Sequence, residues 1–379
     1  MKHRCNVYCL VVIVMMLLLG CGGGSGDSSE TTDVDTQVDP TLSLPGKLFY
    51  QEVVQYIYLV DLTTGLAELV PNTDWSSLDQ RDLYFKSGVA SFFSHPRKNN
   101  NSEFLLIAKH CKRVNSDPLS DEMSCLLIQD YLGNYISEID IVGSIFDAKL
   151  SPDGRYIALY RKPYPYSDEW FEIYTRNGDL ISDKKEEYSQ FEWLNDGRIV
   201  TTYNRHFLFT EEHSTDSDYY LSLPDQIGNE SIVNSVLGDY AISNDGMQVA
   251  FTLYHLWPST NKYGDAVFIM NIDGTNIRKV AVSLGDTYQH IDSLMWSPDD
   301  RWVMVREGYT PSQDGNVTGT SGYLYAFPAE NIGKVFSLSS IESKKSSEVI
   351  IVRRERTLSN ASDQLTTSAL NGTALEWIP

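Results

Sequence analysis

Five histidines, His110, His206, His213, His255 and His290, stand singly along the chain, with no H-E-x-x-H or comparable ligand spacing among them. Metal or acid–base chemistry would therefore require distant segments to converge on one point. No serine lies in a G-x-S-x-G elbow. Gly319-Thr-Ser-Gly322 has the wrong spacing. The Asp-Gly pairs Asp153-Gly154, Asp196-Gly197, Asp245-Gly246 and Asp273-Gly274, with Asp299, do not extend into a calcium loop and read as turn formers. Cys111 and Cys125 are expected to form a disulfide across adjacent strands, closing a loop of about 15 residues at a gain of roughly 3 kcal/mol. A metal site using His110 is the competing reading, and two cysteines make a poor one. No catalytic residue, metal or cofactor is assigned. What remains is recognition chemistry: Tyr164, Tyr166, Trp170, His255, Trp257, Tyr263 and Tyr309, aromatic groups with polar tips of the kind that anchor interfaces. The same rings could instead close the ends of a core.

These groups need a scaffold and an address. Lys2 and Arg4 precede the apolar run Val11 to Leu19, which is too short to span a bilayer and fits a signal-peptide core. The run ends in Leu18-Leu19-Gly20-Cys21. This segment resembles the lipobox of bacterial lipoproteins, which implies cleavage after residue 20 and acylation of Cys21. Residues 21–45 are rich in Gly, Ser and Thr, with five acids and no base. They form a flexible tether with a reach of roughly 27 Å. Gly22 is not Asp, and by the same resemblance the expected address is the outer membrane, on its periplasmic face. The whole chain carries a net charge of −21. Without Lys2 and Arg4 it has 28 bases against 51 acids, a net charge of −23. This balance excludes nucleic acid and leaves the N-terminal lipid as the only membrane contact.

From residue 46 to 379 one phrase recurs. It reads FDAKLSPDGRYIAL from Phe146, FEWLNDGRIV from Phe191, YAISNDGMQVAF from Tyr240 and SLMWSPDDRWVMV from Ser293, with a decayed copy from Ala90. Each is an apolar strand, a tight Asp turn and a second β-rich strand. A second phrase follows, as in FEIYTRNG from Phe171 and VFIMNIDGTNIR from Val267. Two hairpins make four strands, and the turn aspartates lie 43, 49 and 54 residues apart. The phrases SPDGRYIAL and VFIMNIDGTNIR resemble the repeats of TolB-like, WD-repeat-like propellers. The resemblance covers Pro45 to Pro379 and implies an all-β propeller of four-stranded antiparallel blades. Six blades are expected, with seven as the alternative. The segment Val349 to Arg353 is either an outer strand of the sixth blade or part of a seventh. Ala374 to Pro379 reads as a first strand and Gly46 to Tyr50 as a second, so the two termini should share one blade.

The connections from strand two to three, and from four to the next blade, are expected to be long and to share one face, which carries the aromatic set. The expected function is a non-catalytic, monomeric binding scaffold of the envelope that recognises a protein or a polysaccharide through that face. The alternative is a propeller enzyme, a polysaccharide lyase or hydrolase, with histidines or carboxylates meeting at the channel mouth. Metabolic labelling with a fatty-acid probe checks the anchor: the wild type should label, and Cys21→Ala should not.

Overall fold

The computed structural model describes residues 44–53, 56–64, 66–69, 103–109, 123–130, 134–163, 168–186, 190–257, 262–283, 289–309, 323–330, 335–338, 350–351, 353–356, 366–369 and 373–378. Cys21, Cys111, Tyr164 and Tyr166 lie outside them. Every regular element among the described residues is a strand.

Five sheets contain a four-stranded antiparallel meander. The terminal sheet orders Thr373–Ile378, Lys47–Val53, Tyr56–Asp61 and Ala67–Leu69. The Asp153 blade runs Ser144–Leu150, Tyr156–Lys162, Trp170–Thr175, Leu180–Lys185. The Asp196 blade runs Phe191–Trp193, Ile199–Tyr203, His206–Thr210, Ser217–Ser222. The Asp245 blade runs Val236–Ile242, Gln248–Trp257, Lys262–Asn271, Arg278–Ser283, and Phe336–Ser337 adds a parallel fifth strand. The Asp299 blade runs Gln289–Trp296, Trp302–Tyr309, Tyr323–Pro328, Ile350–Ile351. A further sheet, with Cys125 on its middle strand, has three described strands: Glu103–Lys109, Met123–Asp130 and Tyr135–Val142.

The inner strands touch in sequence, from Glu103–Lys109 through Ser144–Leu150, Phe191–Trp193, Val236–Ile242 and Gln289–Trp296 to Thr373–Ile378. This radial succession of meanders is a β-propeller. The expected six or seven four-stranded blades are corrected: among the described residues five sheets contain a four-stranded meander, one of them with a parallel fifth strand, and a further sheet has three strands. The described part of the C-terminal stretch does not form another four-stranded blade. Ile350–Ile351 completes the Asp299 blade, while Arg353–Arg356 and Thr366–Ala369 make only a two-stranded ribbon. Not every connection from strand two to three is long either: in the Asp196 blade, Tyr203 pairs directly with His206 around a tight turn in which Asn204 has φ 55°.

The core explains why these sequences become strands. Successive strand residues point to opposite faces, and in four blades each face meets another sheet. In the Asp153 blade Ile157 and Leu159 pack toward the Cys125 sheet, while Ala158 and Tyr160 pack toward Phe191 and Trp193 of the next blade. Separate clusters join the Asp196 blade to the Asp245 blade, the Asp245 blade to the Asp299 blade, and the Asp299 blade to the terminal sheet. Two-sided burial demands continuous apolar runs, which is how Val267–Met270 and Val303–Val305 read.

The termini pair as expected, with Lys47 opposite Ile378 and Leu48 opposite Trp377. Trp377 is buried against Leu48, Met304 and Leu324, and its indole N–H donates to Pro45 O at 2.7 Å. Trp377→Ala should therefore cost about 3–5 kcal/mol, and Trp377→Phe clearly less. Denaturant unfolding followed by circular dichroism measures this, and equal midpoints for Trp377→Ala and wild type would show that closure does not depend on this strand.

Candidate functional site

The repeat turns are built by one local device. In the Asp153 turn, Asp153 Oδ1 accepts the Ser151 hydroxyl at 2.7 Å and the Arg155 N–H at 3.1 Å, and Ser151 Oγ accepts the Tyr156 N–H at 3.0 Å. Ser243 with Asp245, and Ser297 with Asp299, repeat it. Asp196 accepts from its own Arg198, and Asp273 accepts the Thr275 N–H at 2.9 Å before Gly274. These aspartates are occupied by their turns, as the sequence reading has them. At the left-handed position after them stand Gly154, Gly197 and Gly246, but Asp300 in the last blade, at φ 57°. Its carboxylate leaves its own turn. It accepts the Asn244 N–H at 2.6 Å, the Asn244 side-chain amide at 2.8 Å and the Asp245 N–H at 2.9 Å. Asn195 donates in turn to Asn244 O at 2.7 Å. Three adjacent turns are thus tied into a chain.

On this turn face a cavity of about 250 Å³ lies between the Asp153 and Asp196 blades. Its wall includes Asp153, Arg155, Asn195, Asp196, Glu212 and His213. His213 has φ 52°, and its ring lies 4.1 Å from that of Tyr156. A Cβ on Gly197 would come within 2.8 Å of His213 Nε2, so the glycine is required by space as well as by φ. Sequence reasoning left His213 among the scattered single histidines and passed over Glu212, because nothing at their positions marks a turn that folds back on its own blade.

The aromatic set falls at the opposite ends of the strands. Trp170 opens its strand opposite Arg161 and is half-buried. Tyr309 ends its strand opposite Gln289. His255, Trp257 and Tyr263 are not in a loop. They belong to a hairpin of two ten-residue strands, with His255 opposite Gly264, Leu256 opposite Tyr263 and Trp257 opposite Lys262. The flanking strands stop short of these rungs: Val236 reaches Tyr254, and Ser283 reaches Asp265. The hairpin therefore overhangs its blade at the long-loop end.

Cys125 is buried and disulfide-bonded. The ladder places Ala108 directly opposite it, which corrects the expectation that Cys111 would be its cross-strand neighbour. Around it, Glu138 and Asp140 bring carboxylate oxygens within 4.8 Å of Sγ. A sulfur committed to a disulfide is not a thiolate ligand, so the trio does not make a metal centre.

Two buried charge clusters complete the inventory. Arg161 grips Glu172 through Nε (2.5 Å) and a terminal nitrogen (2.7 Å) and donates to Val142 O. Tyr174 donates to the same carboxylate at 2.8 Å, and burial followed by the charge of Glu172 raises the Tyr174 hydroxyl well above its usual range. This network clamps the Asp153 blade to the Cys125 sheet. On the inner strand, Asp147 is 5% exposed. Burial pushes its carboxyl up to about 6, Lys149 opposes the shift, and Glu192 adds to it.

No family model matches the chain, and no curated protein does. Among solved structures it is similar to Kuenenia stuttgartiensis hydrazine synthase, at 9% identity over 65% of each chain with a TM-score of 0.40. It is also similar to the β-propeller domain of the Trilobed protease from Pyrococcus furiosus, at 13% identity over 70% of this chain and 75% of that one, TM-score 0.38. A third is Pseudomonas brassicacearum lignostilbene dioxygenase, at 10% identity over 76% and 68%, TM-score 0.42. The chain spans less than two thirds of the hydrazine synthase chain. At these TM-scores the likenesses carry no argument about activity.

A carboxyl raised by folding binds its proton more tightly in the native state. Its stabilising contribution is full below pH 4 and is lost as pH rises from about 4 to 6. Asp147→Asn should therefore match the wild type near pH 4 and exceed it by up to about 3 kcal/mol at pH 7.5. Denaturant midpoints at the two pH values check this, and a variant less stable than wild type at pH 7.5 would mean that Asp147 is ionised to advantage.

Proposed function

We propose that this protein is a lipid-anchored, non-catalytic binding module of the bacterial envelope. Its TolB-like propeller stands off the periplasmic face of the outer membrane on the tether of residues 21–45. Cys21 is the acylated residue, and Cys111 is the partner of Cys125. The reading is carried by the overhanging hairpin, which extends past both neighbouring strands and brings His255, Trp257 and Tyr263 to the end where Trp170 and Tyr309 also lie. A rigid scaffold whose hairpin extends past its neighbouring strands and bears aromatic residues in that extension suits recognition. The well-placed charged groups point the same way: Arg161, Glu172 and the turn aspartates are engaged in holding sheets and turns together.

The partner is an envelope protein or polysaccharide engaged at the long-loop end by a monomeric propeller. Crosslinking in the native envelope, followed by identification of the captured species, tests this. Replacing Trp170 and Trp257 together by Ala should reduce capture by about 2 kcal/mol or more if either is a hot spot, with unchanged melting. Undiminished capture by the double variant would sink the assignment of this end.

A further inference from the structure

The Asp196 blade carries a row of rings that its own packing does not use. Tyr203 pairs with His206, and His206 pairs with Ser222 of the outermost strand. Tyr220, two residues before Ser222, pairs with Leu208. Cross-strand partners and next-but-one residues share a sheet face. Tyr203, His206, Leu208, Tyr220 and Ser222 therefore lie on one face, while Phe207 and Phe209 of the other face are buried toward the Asp245 blade. Tyr203 and Tyr220 are 66% and 67% exposed. The His206 and Tyr220 rings meet edge to face with centroids 6.1 Å apart, and His206 Nδ1 lies 2.8 Å from Ser222 Oγ. On the turn side the neighbouring blade closes against this one, where Ser182 Oγ bonds both the hydroxyl and the N–H of Thr215. The row is left at the long-loop end.

We infer that this row is a binding platform for a neutral glycan chain. Tyrosine offers a flat apolar face to the C–H side of a sugar ring and a hydroxyl to its oxygens. His206 and Ser222 add groups that both donate and accept. The row itself contains no cation, and the chain's excess of 51 acids over 30 bases repels polyanions. A protein partner would be better served by a desolvated pocket with an apolar centre. Here the two tyrosines are exposed and polar-tipped, which suits a polymer lying along the surface. It shares an end with the overhanging hairpin but stands on different residues, so failure here leaves the hairpin reading intact.

Calorimetry on the mature full-length protein, purified in a detergent without sugar groups, tests the inference. The probes are cellohexaose, chitohexaose, maltohexaose and the anionic hexagalacturonate. At least one neutral hexaose should bind more tightly than hexagalacturonate. Tyr203→Ala and Tyr220→Ala should each weaken it about fivefold or more. Tyr220→Phe, which keeps the ring, should stay within about twofold. Both tyrosines are exposed side chains, and thermal melts verify folding. The inference is overturned if no neutral hexaose binds, if hexagalacturonate binds more tightly, or if Tyr203→Ala/Tyr220→Ala binds like wild type.

Discussion

Burial of both faces of the inner strands of four successive blades against neighbouring sheets is the constraint from which the remaining features follow. It supplies the hydrophobic drive, since each buried aliphatic or aromatic side chain contributes roughly 1.5–3 kcal/mol. It also removes the usual place for polar atoms, the solvated sheet face. Those that remain on the inner strands are therefore satisfied by the next blade's backbone. Trp193 donates to Lys149 O and Trp296 to Ala241 O, each at 3.0 Å. Tyr240 donates to Val200 O at 2.6 Å. Asp239 and Asp265 accept the N–H groups of Ser293 and Ile291. The same residues that fill space between blades thus set the angular register of one blade on the next. Against its burial Asp147 has the weaker help of Lys149 and of the Ala148 N–H, and its raised pKa reflects that shortfall.

Asp300 shows how local and interblade demands compete. A non-glycine residue in the left-handed region costs of order 1 kcal/mol. Glycine occupies the matching position in three other turns. The cost at Asp300 is offset by three hydrogen bonds to Asn244 and Asp245, which no glycine could make. Partial desolvation raises the Asp300 carboxyl, against the pull of those same N–H donors. The exception to the Asp-Gly pattern is thus where turn chemistry is exchanged for a link between blades.

This division explains what was legible in the sequence. Turn chemistry is local: Ser151, Asp153 and the following strand lie within a few residues, so the repeats and the pairing of the termini could be read directly. The strand boundaries around His255, Trp257 and Tyr263 could not. Their extended form is fixed by ten rungs of cross-strand pairing rather than by propensity, and the polar stretch between the strands reads as a long loop. His213 was equally hidden, because its fold-back is set by the N–H it donates to Gly197 O and by the Tyr156 ring, 16 and 57 residues away along the chain. Asn204, by contrast, was a visible clue. Asn tolerates φ > 0, and Tyr203-Asn204-Arg205-His206 is as short as a hairpin turn allows.

The charge balance acquires a different meaning once the ion pairs are placed. Lys149 is held by Glu192, Arg161 by Glu172 and Lys279 by Glu230, all partly buried between or within sheets. Such pairs stabilise only where desolvation is repaid by good geometry, as in the two-pronged Arg161–Glu172 contact. Each such pair withdraws one base together with one acid, so the remaining groups still carry the full net charge of −21. A surface of that sign repels anionic headgroups instead of docking on them. A propeller of this composition cannot reside at a membrane by electrostatics, and one acyl chain alone gives only reversible attachment. On the proposed reading, stable anchoring therefore requires more than one acyl chain at Cys21.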